Sequence, residues 1–252
     1  MILTDQKAKL ITHNINLDIL ENIGRTCYDS MDKKTDTSYL TFFKNLLKNK
    51  HESILEHCSV TFEFKTNRAI ANELVRHRLA SYTQSSTRYI KYNDYKTEFI
   101  IPSNLKDNII IKNLKDKVIS NEKELETNIT KTYFKFACNS SDPENQKAEL
   151  FAYTCFNAEN NYIKWLKIDS QDQGNARDIL PLGLATTLIM TCNLREFMHI
   201  YKLRYLGTTG TPHKHIQELI GIAVDQIYNN TSDKNNYAKI FFDAAIELAK
   251  KN

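Results

Sequence analysis

The hydrophobic pattern changes its period abruptly between residues 59 and 78, and this change constrains the fold more than any other feature of the chain. From Ser59 to Lys65 apolar and polar residues alternate, which is the period of a half-buried strand. Asn67 is then a typical helix N-cap. The apolar residues that follow have helical spacing, at Ile70, Leu74 and Val75. The sequence therefore predicts a strand that leads directly into a helix.

The predicted helix ends in Arg76-His77-Arg78, and a loop from Ser81 to Arg88 with three serines follows. The helix dipole favours cations near a helix C-terminus, so one or two of these charges need no functional explanation. The dipole does not explain the serine hydroxyls and the further guanidinium of Arg88. Hydroxyls, backbone N–H groups and a guanidinium fork together bind phosphomonoesters. The segment is therefore predicted to be an anion site.

Helical spacing dominates the rest of the chain, whose six Gly and four Pro leave little room for long irregular segments. Helices are predicted over residues 17–28, 39–47, 176–192 (interrupted near Pro181 and Gly183), 193–206, 216–227 and 237–250. One or two strands are predicted over 89–101, loops over 172–175 and 207–212, and a mostly helical insertion over 104–170. These elements predict an α+β fold, with a small, mostly antiparallel sheet and many helices in a single domain, residues 1–252.

Composition narrows the classes of function. With 252 residues, 41% of them hydrophobic, the chain is long enough for a sizeable core, yet it has no apolar run of membrane-spanning length. Its first residues lack the pattern of a secretory signal, and the five scattered cysteines indicate reduced thiols. The net charge of +4 suits anionic ligands but is too small to indicate nucleic acid. We expect a cytoplasmic protein that binds neither membranes nor nucleic acids.

Two further polar clusters occur in the second half of the chain. Arg177 lies between a polar loop and an apolar segment, where it could simply pair with Asp178. Arg195 and His199 are four residues apart and share a helix face, whereas Arg204, nine residues beyond Arg195, points to roughly the opposite side. A helix with polar groups on two faces suits a site between subunits. A surface helix with ordinary charges is the simpler alternative.

The histidine spacing does not predict a catalytic metal. His51 and His57 are six residues apart rather than the four of a zinc-binding helix, and His213 and His215 have no partner ligands at a useful spacing. The sequence also has no dinucleotide-binding or P-loop glycine motif, no nucleophile elbow and no cysteine in an activating setting. The expected metal content is therefore none.

Taken together and in order, the clusters resemble the flavin-dependent thymidylate synthases, also called thymidylate synthase complementing proteins. The signature of that family is Arg-His-Arg, seven further residues and Ser, which Arg76-His77-Arg78 and Ser86 match. Segments 51–57, 176–181 and 193–204 are also similar to the family. The resemblance covers roughly residues 20–225 apart from the helical insertion, and four ordered segments are far more specific than one.

The resemblance implies the fold of that family and an enzyme that converts dUMP to dTMP. It implies FAD as the cofactor, NADPH as the reductant of the flavin, and methylenetetrahydrofolate as the one-carbon donor. It also implies a homotetramer with active sites at subunit interfaces. Catalysis of this kind needs no protein nucleophile, so Ser86 is interpreted as a residue that binds the substrate rather than attacks it.

The resemblance also assigns residues position by position. The cofactor-binding positions are Ser53, Arg76, His77, Arg78, Gln84, Asn193, Leu194, Arg195 and His199. The substrate-binding positions are Glu73, Leu74, Val75, Arg76, Gln84, Ser85, Ser86, Thr87, Arg88, Arg177 and Arg204. Arg204 is the catalytic position, because the family places this arginine against the uracil ring, where it stabilises negative charge.

Three positions depart from the better-known family pattern. Gln84 replaces a loop glutamate and Glu73 replaces a helix glutamine, so we hypothesise that the carboxylate and the amide have exchanged places across one pocket. Additive effects of Glu73→Gln and Gln84→Glu on FAD and dUMP affinity would contradict this exchange. His199 stands where asparagine is familiar, and a histidine near flavin can add pH dependence between about pH 5 and 8.

Two other functions stay open on the sequence alone. A non-catalytic nucleotide- or RNA-binding protein could use the same basic loop, and it would show no flavin absorbance and a salt-dependent affinity for RNA. A metal-dependent hydrolase is the other possibility, which the histidine spacing opposes. An absorbance spectrum of the purified protein is the cheapest way to separate the three.

Overall fold

A computed structural model describes residues 1–92, 96–121, 123–125, 142–168, 170, 172–229 and 236–249, with the side chains of the last helix up to residue 244. The described strands are β1 (Ile2–Thr4), β2 (Lys7–His13), β3 (Ser59–Asn67), β4 (Ala80–Gln84), β5 (Glu98–Ile100) and β6 (Ala185–Asn193). The described α-helices are α1 (Leu17–Thr26), α2 (Ser38–Lys48), α3 (Arg68–Leu74), α4 (Ile109–Leu114), α5 (Pro143–Ile168), α6 (Gln173–Ala176), α7 (Leu194–Tyr201), α8 (Lys214–Tyr228) and α9 (Tyr237–Ala249).

The predicted strand and helix around Asn67 are confirmed. β3 buries every second side chain along most of its length, as the alternating pattern requires. The Asn67 side chain accepts a hydrogen bond from the Ile70 amide at 2.8 Å, which is the capping contact that its position predicts. α3 ends at Leu74, so Arg76-His77-Arg78 lies just beyond the helix rather than in its last turn.

Four strands form one sheet in the order β2-β3-β6-β4, and β1 pairs with β5 in a second, two-stranded sheet. β3 and β6 are antiparallel, because Thr61 lies beside Thr191 while Arg68, just past β3, bonds to Leu184, just before β6. β1 and β5 run parallel. The α+β class with a small antiparallel main sheet is therefore confirmed, and the parallel pair is the exception.

The predicted helix over 176–192 is wrong. Residues 177–179 form a 3-10 turn, and Ala185–Asn193 forms β6. Burial alternates along most of β6, and the strand contains three threonines and an isoleucine, whose branched Cβ atoms favour strands. The pairing of β6 with β3 and β4 supplies the backbone hydrogen bonds that a helix would have made locally.

The strands predicted over 89–101 are reduced to Glu98–Ile100 in the described part of that segment. The amides of the first two residues of the segment both bond to the Ser86 carbonyl, at 3.2 and 3.1 Å, and close a turn there. Their backbone donors are therefore used locally and do not pair with a strand. Residues 93–95 lie outside the described residues.

The predicted loop over 172–175 is a one-turn helix, Gln173–Ala176. The Asp172 side chain accepts a hydrogen bond from the Gly174 amide at 2.7 Å and caps this turn. The segment is polar throughout, so it has no apolar periodicity from which a helix could be predicted.

The other predicted helices are confirmed to within a few residues at their ends. α7 begins after Asn193, whose side chain accepts a hydrogen bond from the Glu196 amide at 2.9 Å, and continues into a π-helical turn, Lys202–Leu206. Gly207, with φ 72°, closes this turn in the left-handed conformation, for which glycine has no steric penalty. The predicted loop from Gly207 to residue 212 follows it.

The Cα positions group into two compact units. Unit 1 comprises residues 1–7, 65–74 and 84–188, and unit 2 comprises residues 8–64, 75–83 and 189–252. The core of unit 1 includes Phe99 of β5 and Phe156 of α5. The core of unit 2 is aromatic, with Phe62, Phe197 and Phe242 joined by ring contacts at centroid distances of 5.2 and 5.7 Å.

The predicted insertion over 104–170 is mostly helical where the structure describes it, in Ile109–Leu114 and Pro143–Ile168. Residues 126–141 lie outside the described residues. That the segment is an insertion into a single domain stays a prediction. None of the helices described is long and apolar enough to cross a membrane.

Candidate active site

The turn after α3 gives its three signature residues different exposures. His77 is buried, with 6% exposure, whereas Arg76 and Arg78 are exposed. The Tyr82 hydroxyl, from β4, donates a hydrogen bond to the His77 carbonyl at 2.9 Å. The two guanidinium groups therefore face the surface, while the imidazole belongs to the interior of unit 2.

His77 lies between Arg204 and Glu196. Arg204 Nε donates to His77 Nε2 at 3.1 Å, and His77 Nδ1 is 3.4 Å from Glu196 Oε1. Burial, Arg204 and His199 lower the pKa of His77 to about 4, so the ring is neutral at pH 7. Burial raises the pKa of the Glu196 carboxyl. The contact between His77 and Glu196 is therefore not an ion pair at neutral pH.

Unit 2 contains a pocket of ≈ 510 Å³, which we call the charged pocket. Its volume is within the range of small-molecule sites, about 300–1,000 Å³. Three predicted cofactor-binding residues line it, namely Asn193, Arg195 and His199. The sequence did not predict the other lining residues, which are Glu52, Glu56, Leu79, Glu196 and Lys202. α7 and the turn after it supply half of these lining residues.

The cations of the charged pocket are paired with its carboxylates. Arg195 Nη1 is 2.5 Å from Glu56 Oε1, and Lys202 Nζ is 2.9 Å from Glu52 Oε1. Arg195 Nε also lies 3.9 Å from Glu52 Oε2. All four side chains are partly exposed, so water screens these pairs and each adds little to the stability of the fold. Their effect is to order two cations before any ligand binds.

The donor set of the charged pocket fits FAD. Arg195 and Lys202 supply two positive charges for phosphate groups, and Asn193 and His199 supply further hydrogen-bonding groups for a ring system. The neighbouring glutamates hold both cations, so an anionic ligand has to compete with them or share them. The pocket is thus suited to the predicted cofactor, in an environment that already contains charges of both signs.

In unit 1, Gln84 to Arg88 form what we call the serine loop, and its first half bonds to β6. The Ser85 amide donates to the Thr187 carbonyl at 2.9 Å, and Ser85 Oγ accepts from the Thr187 amide at 3.2 Å. Ser85 Oγ also lies 2.8 Å from Thr186 Oγ1, which accepts from Gln84 Nε2 at 3.1 Å. The side chains of Gln84 and Ser85 are therefore both engaged with β6.

Thr186 is the centre of this network. It is buried, with 3% exposure, and Arg68 Nη1 is 3.5 Å from its Oγ1 and 3.4 Å from the Ser85 carbonyl. The sequence predicted neither Thr186 nor Arg68. Thr186 is 101 residues from its partner Ser85, and it lies on a strand that was predicted to be part of a helix. A strand prediction for residues 185–193 would have placed Thr186 on the opposite face from Thr187 and Thr191.

The second half of the serine loop is a tight turn. Ser86 Oγ accepts a hydrogen bond from the Arg88 amide at 3.3 Å. The Arg88 guanidinium lies 5.7 Å from the centre of the exposed Tyr89 ring. Arg177 Nη1 donates to Thr87 Oγ1 at 3.4 Å, so the structure brings together two predicted substrate-binding residues from distant parts of the sequence.

The remaining predicted positions differ in what they expose. Leu74 and Leu194 are fully buried, so only their backbone groups could contact a ligand. Glu73 and Val75 are partly buried, and Ser53 is exposed on a 3-10 turn. The hypothesis that Glu73 and the amide of the serine loop have exchanged roles stays a prediction.

The sequence does contain signals for three of the missed residues of the charged pocket, Lys202, Glu52 and Glu56. Lys202 is seven residues after Arg195 and three after His199, which places the three on one helix face. Glu52 and Glu56 are four residues apart, a spacing that lets both carboxylates reach the same cation. A search for recurring charges at helical spacing would have found all of these side chains.

Among the described residues, no group of three His, Cys, Asp or Glu side chains is arranged to hold a metal ion. Three of the described cysteines are buried, and burial raises the pKa of their thiols, that of Cys192 to about 12. Cys27 is exposed at the end of α1. The buried thiols are therefore protonated and unreactive at neutral pH.

The sequence profile of the thymidylate synthase complementing protein family matches residues 9–230. The flavin-dependent thymidylate synthase of Thermococcus onnurineus is 34% identical over 157 residues, which are 61% of this chain and 49% of that protein. The one of Clostridium tetani is 29% identical over 211 residues, 79% of this chain and 74% of the relative. The chain spans 49% to 60% of the length of the Thermococcus and Pyrococcus relatives compared with it.

Solved structures share the fold. The UMP/dUMP methylase PolB from Streptomyces cacaoi, bound with 5-Br dUMP, has a TM-score of 0.69 and 18% identity, over 96% of this chain and 97% of that one. The flavin-dependent thymidylate synthase ThyX from Helicobacter pylori, complexed with FAD and dUMP, has a TM-score of 0.63 and 22% identity, over 94% and 99%. At these identities the likeness establishes a common architecture.

Proposed function

The chain belongs to the thymidylate synthase complementing protein family, and from this membership we propose that it is a flavin-dependent thymidylate synthase. The proposed reaction is the reductive methylation of dUMP to dTMP. Methylenetetrahydrofolate is the one-carbon donor, NADPH the reductant, and FAD, when bound, the source of the hydride. The observation that carries the proposal is the guanidinium of Arg204, which the neutral His77 ring holds by its Nε.

Arg204 is the proposed catalytic residue. Carbon 5 of uracil is a weak nucleophile, and it becomes stronger when negative charge at N3 and the adjacent carbonyl oxygens is stabilised. His77 accepts from one donor of the guanidinium, its Nε–H. The Nη groups lie in the same plane, a geometry suited to N3 and one adjacent carbonyl oxygen of the uracil ring. A neutral partner is suitable, because it orients Arg204 without cancelling its charge.

The serine loop is the proposed phosphate site. Ser86, Thr87 and Arg88 provide hydroxyls, backbone amides and a guanidinium within three consecutive residues, and Arg177 adds a second guanidinium beside Thr87. A phosphate held in this way fixes the position of the base for reaction. The loop is prepared for this role by its hydrogen bonds to β6.

The charged pocket is the proposed site for part of FAD. Arg195 and Lys202 would bind its phosphates, and Asn193 and His199 would contact its polar groups. Arg76 and Arg78 supply exposed positive charge in the same unit, which favours an anionic reduced flavin. The raised pKa values of the three buried thiols described support a reaction in which they do not act as nucleophiles.

Two measurements test the proposed function. The purified protein should show flavin absorbance bands, and it should form dTMP from dUMP with methylenetetrahydrofolate and NADPH. Arg204→Ala should lower kcat/KM by about 10²- to 10³-fold, the usual cost of removing one charge-stabilising donor, while FAD binding persists. A protein that shows no flavin bands after FAD addition, or that binds RNA in a salt-dependent way without forming dTMP, would overturn the proposal.

We also propose a cytoplasmic homotetramer with active sites at subunit interfaces. The segment from Arg195 to Arg204 carries binding chemistry at both of its ends, since Arg195 lines the charged pocket while Arg204 bonds to His77. Such a helix suits a site to which more than one subunit contributes. Light scattering coupled to size-exclusion chromatography, with and without FAD, should give four times the 29.3 kDa chain mass, and a monomer in both states would contradict the proposal.

A further inference from the structure

Glu196 is a buried carboxylate beside the signature histidine. It has 6% exposure, and its Oε1 lies 3.4 Å from His77 Nδ1. Its backbone amide is used separately, as the donor that Asn193 caps at the start of α7. The carboxylate lies in the first turn of α7, where the helix dipole favours a negative charge, but the contact described for it is with His77. Burying a carboxylate is costly, so its retention beside His77 calls for a specific role.

The two ring nitrogens of His77 have different partners, and these partners define its tautomer. Nε2 accepts the Arg204 Nε–H, so it carries no proton. A neutral imidazole keeps one proton, which must then be on Nδ1, the nitrogen that faces Glu196 Oε1. An acceptor at that place favours this tautomer over the other. The other tautomer would present an N–H to Arg204 Nε–H, and the contact would become repulsive.

Resting on the proposed function, we propose that Glu196 is a positioning residue that acts on the nucleotide through His77 and Arg204. Glu196 fixes the Nδ1–H tautomer of His77, and His77 in turn fixes the direction of the Arg204 guanidinium. The order resembles the carboxylate, imidazole and reactive-group arrangement of hydrolases, but the imidazole here accepts from an arginine and transfers no proton. Glu196 itself touches no substrate atom in this proposal.

Other groups around His77 do not replace Glu196. Arg204 and His199 both disfavour a charged imidazole, and the Tyr82 hydroxyl bonds to the backbone carbonyl rather than to the ring. The His199 ring is 6.1 Å from the His77 ring between centroids, beyond hydrogen-bonding distance. Of the contacts described for the His77 ring, Glu196 is thus the one that can select the tautomer.

Two substitutions of Glu196 separate positioning from folding. Glu196→Met keeps the side-chain volume but removes the acceptor 3.4 Å from His77 Nδ1, and it should weaken dUMP binding to the FAD-loaded protein about tenfold, the range for a lost buried polar contact. Glu196→Gln keeps a carbonyl acceptor and should restore the affinity to within about threefold of the wild type. Calorimetry measures both. Glu21→Gln, which alters another buried carboxylate of unit 2, should leave dUMP affinity unchanged.

Glu196→Met in an Arg204→Ala background tests whether Glu196 acts on the nucleotide through Arg204. If Glu196 acts through Arg204, then Glu196→Met causes no further loss of dUMP affinity when Arg204 is already absent. An equal loss in both backgrounds, or dUMP binding by Glu196→Met equal to that of the wild type, would overturn the inference and leave the proposed function intact. Failure of the FAD-loaded wild type to bind dUMP would instead overturn both.

Discussion

The serine loop and the charged pocket are both predicted to bind anions, but they are built in opposite ways. In the serine loop, hydroxyls and amides of Gln84 and Ser85 bond to β6, and no carboxylate takes part in these contacts. In the charged pocket, Arg195 and Lys202 are held by two glutamates. Hydrogen bonds, with the Arg68 guanidinium among the donors, order the first site, and ion pairs with carboxylates order the second.

This difference affects how each site responds to a ligand. The hydrogen bonds of Gln84 and Ser85 point toward β6, so a phosphate at the turn around Ser86 does not have to break them. Its affinity gains directly from this preorganisation. In the charged pocket, the carboxylates that order the cations also compete for them. We therefore expect removal of the loop's hydrogen-bonding partners on β6 to lower its affinity for phosphate. Removal of the pocket's glutamates should instead raise its affinity for an anionic ligand.

The largest effect is expected when the exposed cation of the serine loop is removed. Arg88→Ala should weaken dUMP binding about 10- to 100-fold, because a charge-assisted phosphate contact contributes about 1.5–3 kcal/mol. Arg88→Lys, which keeps the charge but not the guanidinium fork, should recover only part of the affinity. Calorimetry with dUMP checks both variants. An Arg88→Ala protein with unchanged dUMP affinity would contradict the assignment of the phosphate to this loop.

Thr186→Val should weaken dUMP binding about tenfold, because it removes the central hydroxyl of the loop network without changing the side-chain shape. Gln84 and Ser85 would each lose a partner, and the loop would need to be reordered on binding. Thr186→Ser restores the hydroxyl and should restore most of the affinity. Thr187→Val is the matched control, because Thr187 is exposed and contacts the loop through its backbone.

The origin of this network shows what the sequence could and could not predict. β3, the Asn67 cap and the helix after Asn193 follow from local patterns, since each depends on residues within one or two turns of one another. β6 does not, because its threonines acquire their role only by pairing with distant strands. Thr186 was therefore missed, although both of its loop partners had been predicted from family resemblance.

The charged pocket was predicted in part for a related reason. Family resemblance identified Arg195 and His199, and the helical period would have added Lys202. The pairing of these cations with Glu52 and Glu56 depends on a tertiary contact between two segments more than 130 residues apart, as in the 139-residue separation of Arg195 from Glu56. A sequence shows which side chains are charged, but only the fold shows which of them form ion pairs with one another.

Acidification should distinguish the two units, because His77 titrates in unit 2 while the arginines of the serine loop stay charged. The pKa of His77 is lowered from 6.5 to about 4, so between these values the unfolded chain binds a proton that the folded chain does not. Stability is therefore lost as pH falls through this window, by at most about 1.4 kcal/mol per pH unit for one proton.

His77→Gln should remove this contribution, which urea unfolding at several pH values between 7 and about 4.5 can measure. Glu196 contributes a slope of opposite sign, since burial raises the pKa of its carboxyl in the folded state. The quantity to compare is therefore the difference in unfolding free energy between variant and wild type at each pH. Between pH 7 and 8 residue 77 is neutral in both proteins, so this range is the internal control. Parallel curves for the two proteins across the acid range would show that His77 does not titrate as described.

The smallest effect, and the one of opposite sign, is expected from the charged pocket. Glu56→Gln removes the carboxylate closest to Arg195, so FAD affinity should rise about two- to fivefold, a small gain because water screens an exposed ion pair. Glu63→Gln, on β3, changes the net charge of unit 2 equally without touching the pocket and should have no effect. The gain should shrink as salt is added, because screening weakens the competition that the substitution relieves. A lower FAD affinity for Glu56→Gln would mean that ordering of Arg195 outweighs competition for it, and the charged pocket would then follow the same rule as the serine loop.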